Sequence, residues 1–515
     1  MKLHAKLAIA LTVVGIIAIA SFRFLQPILD SASQADVSDV GSKGTITIGI
    51  DGWVGYFPLC SPEMKRNLNR EGYGLKCTDD AADYSERFRR LKGGEYDFAV
   101  ATVDSYLLNA ERFNFPGPII AVLDESKGGD AIVGRKSVVP DLEALKQATD
   151  LRVAFTPDSP SHHLMKAVAA HFDIPLLRNR RIFVESEGSE SAYSKLKDGK
   201  ADVAVLWEPE VSKALDSKEF IRLLGTEDTQ QLIVDILVAS QSVIKRDSDK
   251  IRSLLKSYFR TLKHYRDDEA LLIKDIARHY DISKSNAGSL LSGVKWVTMN
   301  ENAEDWYGVD PHSFSGEALI RTIESAADIL VDSGDFNRSP VPDEDPYRLI
   351  NSAFIKEMHQ DFARAGGFTT PGAAKRQMAA SFKALTAAQW DQLHPVASLK
   401  ARQIKFSSGT SDLTIAGKEK IDELINDLEH YPNFRVEVRG HSGTKGDPHA
   451  NLALSQHRAQ AVVRYIEIAH TLDENRIRAV GFGGSRPLQR NPGESNRAYN
   501  YRLPRVEIAL VREVL

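Results

Sequence analysis

The chain has 515 residues, of which 42 % are hydrophobic and 26 % are charged, and its formal net charge is −4. This length predicts about three domains at roughly 100 to 200 residues each, and the composition excludes a disordered, collagen-like or polytopic membrane protein. The small net charge gives no electrostatic reason to expect nucleic-acid binding. The sequence has two cysteines, Cys60 and Cys77, which exclude a four-cysteine zinc or iron–sulfur site but permit one disulfide.

An uncharged apolar segment, residues 7–22, follows two lysines near the N-terminus. The basic flank favours an orientation in which the rest of the chain is exported. Residues 1–28 are therefore expected to form an uncleaved inner-membrane anchor, because Phe24 and Leu25 extend the apolar run. A signal peptide cleaved after the small residues at 18–20, or a buried helix of a soluble domain, remains an alternative. We expect a periplasmic protein.

The next segments differ in their patterns. The polar residues 29–44 are predicted to be a flexible tether. In residues 45–335, strands such as TITIGI and YDFAVAT alternate with helical segments, which predicts an α/β fold of two lobes with mostly parallel sheets. Helical patterns dominate residues 336–400, which are predicted to be a helical linker region.

Polar and aromatic residues recur where the predicted strands end and helices begin. In open α/β sheets, ligands bind beyond the carboxyl ends of the strands, where helix N-termini present unpaired N–H groups. We therefore expect a cleft for a small anionic or zwitterionic molecule, held by hydroxyl and amide groups and covered by an indole. Each residue also has a purely structural interpretation, as a core tryptophan or a helix cap. The expected ligand-binding residues are Trp53, Ser126, Asp158, Ser159, Ser161 and Trp207.

Several segments resemble, in the same order, the nitrate/sulfonate/taurine branch of periplasmic solute-binding proteins. They include GIDGWVGYFPL, LKGGEYDFAVATVDSYL, VLDESKGGDAIV, FTPDSPSHHL and DGKADVAVLWEPEVSKAL. The resemblance implies a type II two-lobed clamp in which the chain crosses between the lobes near 123–130 and near 225–235. In such a clamp Cys60 and Cys77 would lie on one edge of neighbouring strands, so a periplasmic disulfide is expected, with unpaired thiols as the alternative.

Residues 401–515 resemble the OmpA-like peptidoglycan-binding domain, a small α+β fold. The resemblance is carried by IKFSSG, VEVRGHSGTKG, NLALSQHRAQAVVRYI, RIRAVGFGGSRPL and RVEIAL, and RQIKFSSG is predicted to be the first strand. In that family an Asp and an Arg hold the ammonium and carboxylate of diaminopimelate in the peptide stem. Arg458 matches the Arg and would make a charge-assisted contact. Gly443 stands where the family has the Asp.

Further residues of this segment bear on the expected peptidoglycan contact. Asn451 and Ser455 match the family, and with Arg505 they are expected to help bind the stem. Leu503 and Pro504, just before Arg505, depart from the family pattern. Asp447, four residues after Gly443, is a possible substitute for the missing carboxylate.

The favoured function is an exported, non-catalytic solute-binding protein tethered to the cell wall. Its expected partners are a small-molecule ligand, peptidoglycan, the inner membrane and a permease or signalling protein, with no nucleic acid, cofactor or metal. One alternative is an ABC transporter receptor for nitrate-, sulfonate- or taurine-like solutes. A clamp-fold enzyme using Cys60, His162 or Asp130 is a second, although no GxSxG, HExxH or GxxxxGK[ST] motif occurs. A stator-like protein is a third alternative. The apolar segment of this chain, residues 7–22, contains no Asp to carry protons, which argues against it.

Overall fold

The computed structural model of the chain describes residues 43–309, 317–364, 382–400, 404–407, 409–470 and 472–513. The expected N-terminal apolar helix and most of the expected tether lie outside these residues. Within the described ranges, no helix combines the length and the apolar character needed to cross a membrane.

In the described part of the chain the strands form three sheets. The strands, numbered in chain order, are β1 Gly44–Ile50, β2 Tyr73–Asp79, β3 Phe98–Thr102, β4 Ile119–Ser126, β5 Asp130–Arg135, β6 Val153–Phe155, β7 Phe183–Glu185, β8 Val203–Trp207, β9 Phe220–Gly225, β10 Val234–Ala239, β11 Val294–Trp296, β12 His394–Ser398, β13 Arg435–His441, β14 Ile477–Gly481 and β15 Arg505–Arg512. The α-helices of the same ranges are Phe57–Cys60, Pro62–Arg70, Tyr84–Gly93, Val103–Ala110, Leu142–Gln147, Pro160–His171, Gly188–Lys197, Glu210–Leu215, Gln241–Arg246, Ser248–Asp267, Glu269–His279, Lys284–Ser292, Met299–Glu301, Ala318–Asp332, Ala353–Arg364, Ala387–Asp391, Ile415–Glu429, Pro448–Ala469 and Asn496–Arg502.

The first lobe contains the sheet β11-β4-β10-β3-β1-β2. β1 pairs in parallel with β2 and β3, as the alternation of strands and helices predicts. β10 runs antiparallel to both β3 and β4, so the sheet is mixed. Every residue of β4 and β10 is buried, which explains their apolar sequences, since strands covered on both faces need no polar alternation.

The second lobe contains the sheet β7-β6-β8-β5-β9, in which β6 pairs in parallel with β7 and β8, and β5 is antiparallel to its neighbours. The chain enters this lobe through residues 127–129 and returns through residues 226–233. These segments, named here the first and second crossings, lie where the resemblance implies them. The expected two-lobed clamp fold is therefore confirmed.

The third sheet, β12-β15-β13-β14, shares a core with helices Ile415–Glu429 and Pro448–Ala469. The first strand of this sheet differs from the prediction. It is β12, within the predicted linker, whereas in the expected strand RQIKFSSG the described residue Phe406 forms only an isolated bridge with Leu413. Pro395 lowers the strand signal of β12, but it is tolerated because β12 is an edge strand with an irregular register at that point.

The predicted linker is divided: its described residues up to 364 contact the first lobe, whereas Lys383 and Trp390 contact Arg435 of the third domain. The backbone N–H of Asn351 donates to the carbonyl oxygen of Ile119 at 2.8 Å, and Ile355 on helix Ala353–Arg364 is fully buried. The structure also joins Cys60 and Cys77 in a disulfide between the first helical turn of this lobe and β2.

Residues 430–434, named here the docking loop, attach the third domain to the second crossing. The backbone N–H of Gln230 donates to the carbonyl oxygen of His430 at 2.8 Å, and His430 Nδ1 donates to the carbonyl oxygen of Gln230 at 2.8 Å. Asn433 Nδ2 donates to the carbonyl oxygen of Glu227 at 3.0 Å. The docking loop thus satisfies backbone groups of the crossing that would otherwise need water.

The docking loop also contacts two helices of the clamp. His430 Nε2 lies 2.8 Å from Ser325 Oγ, and Tyr431 Oη lies 2.8 Å from His171 Nδ1. Burial lowers the pKa of His430, so the imidazole is neutral, with the proton on Nδ1 and Ser325 donating to Nε2. The ring of Tyr431 is fully buried 5.0 Å from that of Phe172. The contact is therefore a packed interface.

Replacing His430 should loosen the second crossing. His430→Ala removes the side-chain bonds to Gln230 and Ser325, each worth about 1 kcal/mol, and opens a cavity beside them. We expect faster amide hydrogen exchange in residues 226–233, measured by mass spectrometry, with β13 unchanged. His457→Ala, an exposed histidine of the same domain, is the control. Equal exchange in the wild type and both variants would contradict this role of the docking loop.

Candidate functional site

A cavity of about 360 Å³ lies between the two lobes, at the carboxyl ends of β1 and β2 and of β6 and β8. Residues from both lobes and Ile233 of the second crossing line it, and its size suits a small molecule. The lining residues are Asp51, Gly52, Trp53, Tyr56, Asp79, Ala81, Ala82, Tyr84, Asp130, Thr156, Pro157, Asp158, Ser159, Pro160, Gly188, Trp207, Ile233 and Asp235.

Asp51 and its partners form the first-lobe corner of the cavity. The fully buried Arg87 donates Nη2 to Asp51 Oδ2 at 3.1 Å, Nε to Asp80 Oδ2 at 2.8 Å and Nη1 to the carbonyl oxygen of Val100 at 2.7 Å. The hydroxyl of Tyr84 donates to Asp51 Oδ2 at 3.3 Å. Because one guanidinium faces two carboxylates, this corner keeps a net negative charge.

Two buried carboxyl groups lie side by side, with Asp235 at the cavity floor and Asp124 behind it. Asp124 on β4 and Asp235 on β10 are register partners. Trp53 Nε1 donates to Asp124 Oδ1 at 3.0 Å, and the hydroxyl of Tyr56 donates to Asp235 Oδ1. Burial raises the pKa of Asp124 to about 7, and burial with the neighbouring charge of Asp124 raises the pKa of Asp235 well above its usual value. Burial therefore disfavours the charged form of both carboxyl groups.

Asp130, the first residue of β5, directly follows the first crossing and contacts the second. Ser126 Oγ donates to Asp130 Oδ2 at 2.8 Å, and Ser161 Oγ donates to Asp130 Oδ1 at 2.5 Å. The backbone N–H of Asp130 donates to Thr226 Oγ1 at 3.1 Å. Burial raises the pKa of Asp130 to about 6, although the two serine hydroxyls favour the charged form. These contacts link both crossings to helix Pro160–His171.

The second-lobe wall comes from the starts of two helices and the end of β8. Ser159 caps helix Pro160–His171, and its Oγ donates to the carbonyl oxygen of Thr156 at 2.8 Å. The backbone N–H of Trp207 donates to Ser189 Oγ at 3.0 Å, which fixes the end of β8 against helix Gly188–Lys197. The buried Thr156 Oγ1, beside Asp158, has no hydrogen-bond partner among the described residues and is available to a ligand.

The structure brings four of the predicted residues to the cavity wall, namely Trp53, Asp158, Ser159 and Trp207. Ser126 and Ser161 do not line the cavity but hold Asp130, which does. Their roles in binding remain predictions. The sequence analysis missed the acidic side chains that follow β1 and β2 and the Asp inside the apolar strand β10. The sequence did contain a signal for them, because Asp51 and Asp79 stand at the ends of predicted strands and Asp235 interrupts an apolar segment.

The residues named for a clamp-fold enzyme are engaged in other contacts. Cys60 is in the disulfide. His162 Nδ1 accepts from the backbone N–H of Asp158 at 3.1 Å, and burial lowers the pKa of His162 to about 2. His162 lines a separate cavity of about 250 Å³. Across the described residues, no group of three or more His, Cys, Asp or Glu side chains has an arrangement suited to a metal ion.

In the third domain, close packing of helix Pro448–Ala469 against β13 determines the position of Arg458. A Cβ on Gly440 would lie 2.1 Å from the carbonyl oxygen of Ser455, so glycine lets helix Pro448–Ala469 approach β13. Arg458, one turn beyond Ser455, lies over the ring of Phe406 with 4.9 Å to the centroid. Its Nε donates to the carbonyl oxygen of Thr410 at 3.1 Å. Partial burial lowers the pKa of Arg458, which remains charged at neutral pH.

The loop after β13 has room for the missing carboxylate. A Cβ on Gly443 would meet nothing within 4 Å. The expected substitute, Asp447, is already engaged, because it caps helix Pro448–Ala469 by accepting from the backbone N–H of Ala450 at 2.7 Å. We therefore withdraw Asp447 as a substitute, since moving its side chain would uncap a 22-residue helix.

The other residues predicted to contact peptidoglycan hold the domain's own backbone. Asn451 Nδ2 donates to the carbonyl oxygen of Lys445 at 2.9 Å, and Ser455 Oγ accepts from the backbone N–H of Gly483 at 2.9 Å. Arg505 is buried and donates Nε to Glu507 Oε1 at 2.6 Å. Their contacts with peptidoglycan remain predictions.

The pH dependence of stability tests the buried state of Asp130. Its folded pKa of about 6 lies above the ordinary value of 3.8, so folding favours the protonated form. The corresponding stability is present below about pH 4 and is lost as the pH rises through 6, which amounts to about 3 kcal/mol. Relative to Asp130→Asn, the wild type should lose roughly this free energy of unfolding between about pH 4 and pH 7 in urea titrations. Parallel pH profiles would contradict the assignment.

Comparisons with known proteins agree with the division into clamp and third domain. Residues 405–501 match the OmpA family. The probable lipoprotein YiaD of Escherichia coli (strain K12) is 33% identical over 107 residues, which are 21% of this chain and 47% of that protein. The peptidoglycan-associated lipoprotein of Rhizobium meliloti (strain 1021) is 27% identical over 86 residues, which are 17% of this chain and 48% of that protein. The chain thus spans about half the length of these curated relatives.

A solved structure is similar to the clamp in fold. It is the periplasmic aliphatic sulphonate binding protein SsuA from Escherichia coli, which is 15% identical and has a TM-score of 0.47. The similarity covers 60% of this chain and 98% of SsuA. The match to the OmpA family thus covers residues 405–501, which follow a two-lobed α/β clamp in the same polypeptide.

Proposed function

We propose that the protein is an exported, non-catalytic binding protein that captures a small molecule between its lobes and attaches to peptidoglycan through its OmpA-family domain. The cavity of about 360 Å³, lined from both lobes, carries this proposal. A site divided between two bodies that are joined by short crossings can close over a ligand by a hinge movement. Trp53 and Trp207, from opposite lobes, would cover the ligand.

Export is supported by the disulfide between Cys60 and Cys77, because such bonds persist in oxidising compartments. The apolar segment at residues 7–22 supports attachment to the inner membrane, and this part of the proposal rests on sequence alone. A permease or a signalling protein in that membrane would receive the ligand or read the closure of the clamp.

Attachment to peptidoglycan is supported by Arg458, which remains charged on the helix that follows the loop of Gly443. A guanidinium can hold a carboxylate of the peptide stem through paired hydrogen bonds. Without the carboxylate at position 443, the partner ammonium of diaminopimelate would lose a charge-assisted bond of about 1.5 to 3 kcal/mol. We therefore propose weak attachment to peptidoglycan.

The cleft can be tested before its ligand is known. A small-molecule extract of the cells that make the protein should raise its melting temperature, because a ligand that binds only the folded state stabilises it. Trp207→Ala and Trp53→Ala should each weaken this effect, since each indole buried against the ligand contributes about 1 to 3 kcal/mol. Tyr501→Ala, a 67% exposed aromatic of the third domain, is the control. An undiminished rise in both tryptophan variants would exclude these residues from the site.

Sedimentation with purified peptidoglycan tests the wall contact. Gly443→Asp should increase the bound fraction, with an affinity gain of about tenfold, because it restores a carboxylate where a side chain has room. Arg458→Ala should remove most of the remaining binding. Arg464→Ala, an exposed arginine on the same helix, is the matched control. Strong sedimentation of the wild type that Arg458→Ala leaves unchanged would contradict the proposed contact.

A further inference from the structure

We propose that the ligand of the interlobe cleft carries a protonated nitrogen, as an amine or an amino zwitterion, because aspartates and aromatic rings line the cavity without a basic side chain. This inference rests on the proposed binding function and names its ligand class. The sequence predicted an anionic or zwitterionic ligand, and the present inference excludes a ligand that is only anionic.

The charge of the lining favours a cation. Five aspartates line the cavity, and the described lining residues include no Lys, Arg or His. Arg87, behind the wall, is shared by Asp51 and Asp80 and balances only one of them. A sulfonate or nitrate in this cavity would meet like charges in a partly dehydrated space, which is unfavourable by several kcal/mol at a few ångströms.

The buried carboxyl groups lack a counter-ion of their own. Asp124, Asp130 and Asp235 are each at most 3% exposed, and no ion pair to any of them occurs in the described part of the chain. Their donors are neutral: the indole of Trp53, the hydroxyl of Tyr56 and two serines. Buried carboxylates are ordinarily paired with a cation, and a bound ammonium would supply one.

Aromatic rings form much of the apolar part of the cavity wall. Trp53, Tyr56 and Tyr84 line the cavity from the first lobe, and Trp207 lines it from the second. The faces of such rings attract cations by about 0.5 to 2 kcal/mol. Metal ions fit this lining poorly, because in the described residues the acidic side chains do not converge as a set of metal ligands. Rings beside carboxylates suit an organic ammonium group.

The second-lobe wall would take the other end of the ligand. Thr156 Oγ1 is buried without a partner in the described part of the chain, and Ser159 lies beside it at the start of helix Pro160–His171. A carboxylate or hydroxyl of the ligand could accept from this hydroxyl near the positive end of the helix dipole. An amino zwitterion with its nitrogen towards the first lobe satisfies both walls.

A matched series of four-carbon probes separates charge from apolar contact. The probes are n-butylammonium, 4-aminobutanoate, n-butanol and n-butanesulfonate, titrated into the full chain at neutral pH and constant ionic strength. Binding is followed by the tryptophan fluorescence of the full chain, whose five tryptophans include Trp53 and Trp207 at the cavity. We expect saturable changes with the two amines and an affinity at least about tenfold weaker for the alcohol and the sulfonate.

Variants link the signal to the acidic lining. Asp124→Asn combined with Asp235→Asn should lower the affinity for n-butylammonium about tenfold or more. Asp79→Asn, on the first-lobe wall of the cavity, is a second variant that should fold normally, because an asparagine oxygen can still accept from the backbone N–H of Ala81, and it should weaken binding about threefold to tenfold. Asp249→Asn, whose side chain is 80% exposed on the outer surface, is the matched control and should bind as the wild type does.

The outcomes distinguish this inference from the proposed function. Saturable binding of n-butanesulfonate without binding of the amines would keep the binding function and overturn the ammonium assignment. The absence of a saturable change with every probe would overturn both. Amine affinities equal to those of the wild type in both aspartate variants would show that the acidic lining does not recognise the nitrogen, and would also overturn the assignment.

Discussion

The antiparallel pairing of β4 with β10 is the constraint on which the rest of the clamp depends. β4 leads into the second lobe and β10 returns from it, so their register brings the two crossings together. The same register sets Asp124 opposite Asp235, which lines the floor of the cleft. The hinge and the acidic floor therefore have one origin, and a slip of one residue would point these side chains to the opposite face.

Burial of the charged form of these carboxyl groups is unfavourable. Exclusion of water raises the pKa of both Asp124 and Asp235, and neutral donors compensate only in part. Apolar residues of similar size at these positions would give the protein a higher free energy of unfolding. Buried carboxyl groups with shifted pKa values are therefore found mainly at functional sites. A ligand that supplies positive charge would relieve this penalty on binding.

The third domain is bonded directly to the second crossing. Its docking loop bonds to backbone groups of Glu227 and Gln230, and His430 also contacts Ser325 on helix Ala318–Asp332. That helix packs against one helix of each lobe. A rotation of the lobes about the crossings therefore either carries the third domain along or breaks the docking loop's contacts. These contacts would connect the proposed capture in the cleft with the proposed attachment to peptidoglycan.

Local patterns predicted much of this architecture, whereas non-local contacts escaped them. The alternation of strands and helices predicted the two lobes, and the helix start at Ser159 followed from its capping residues. The pairing of β10 with β4 joins residues more than a hundred positions apart, so no periodicity in the chain reveals it. For the same reason the contacts of Asp235 with Asp124 and of His430 with Gln230 could not be predicted from the residues around them. β12 was missed because Pro395 weakens its strand signal.

The central claim, that the cleft holds a ligand with a protonated nitrogen, is tested most directly on the molecule the protein carries in its own cells. The full chain is purified without denaturation and then unfolded, and the released compound is identified by high-resolution mass spectrometry. The account predicts a compound with a basic nitrogen that migrates as a cation or zwitterion at neutral pH. A released sulfonate, nitrate or other anion without a basic nitrogen would contradict it.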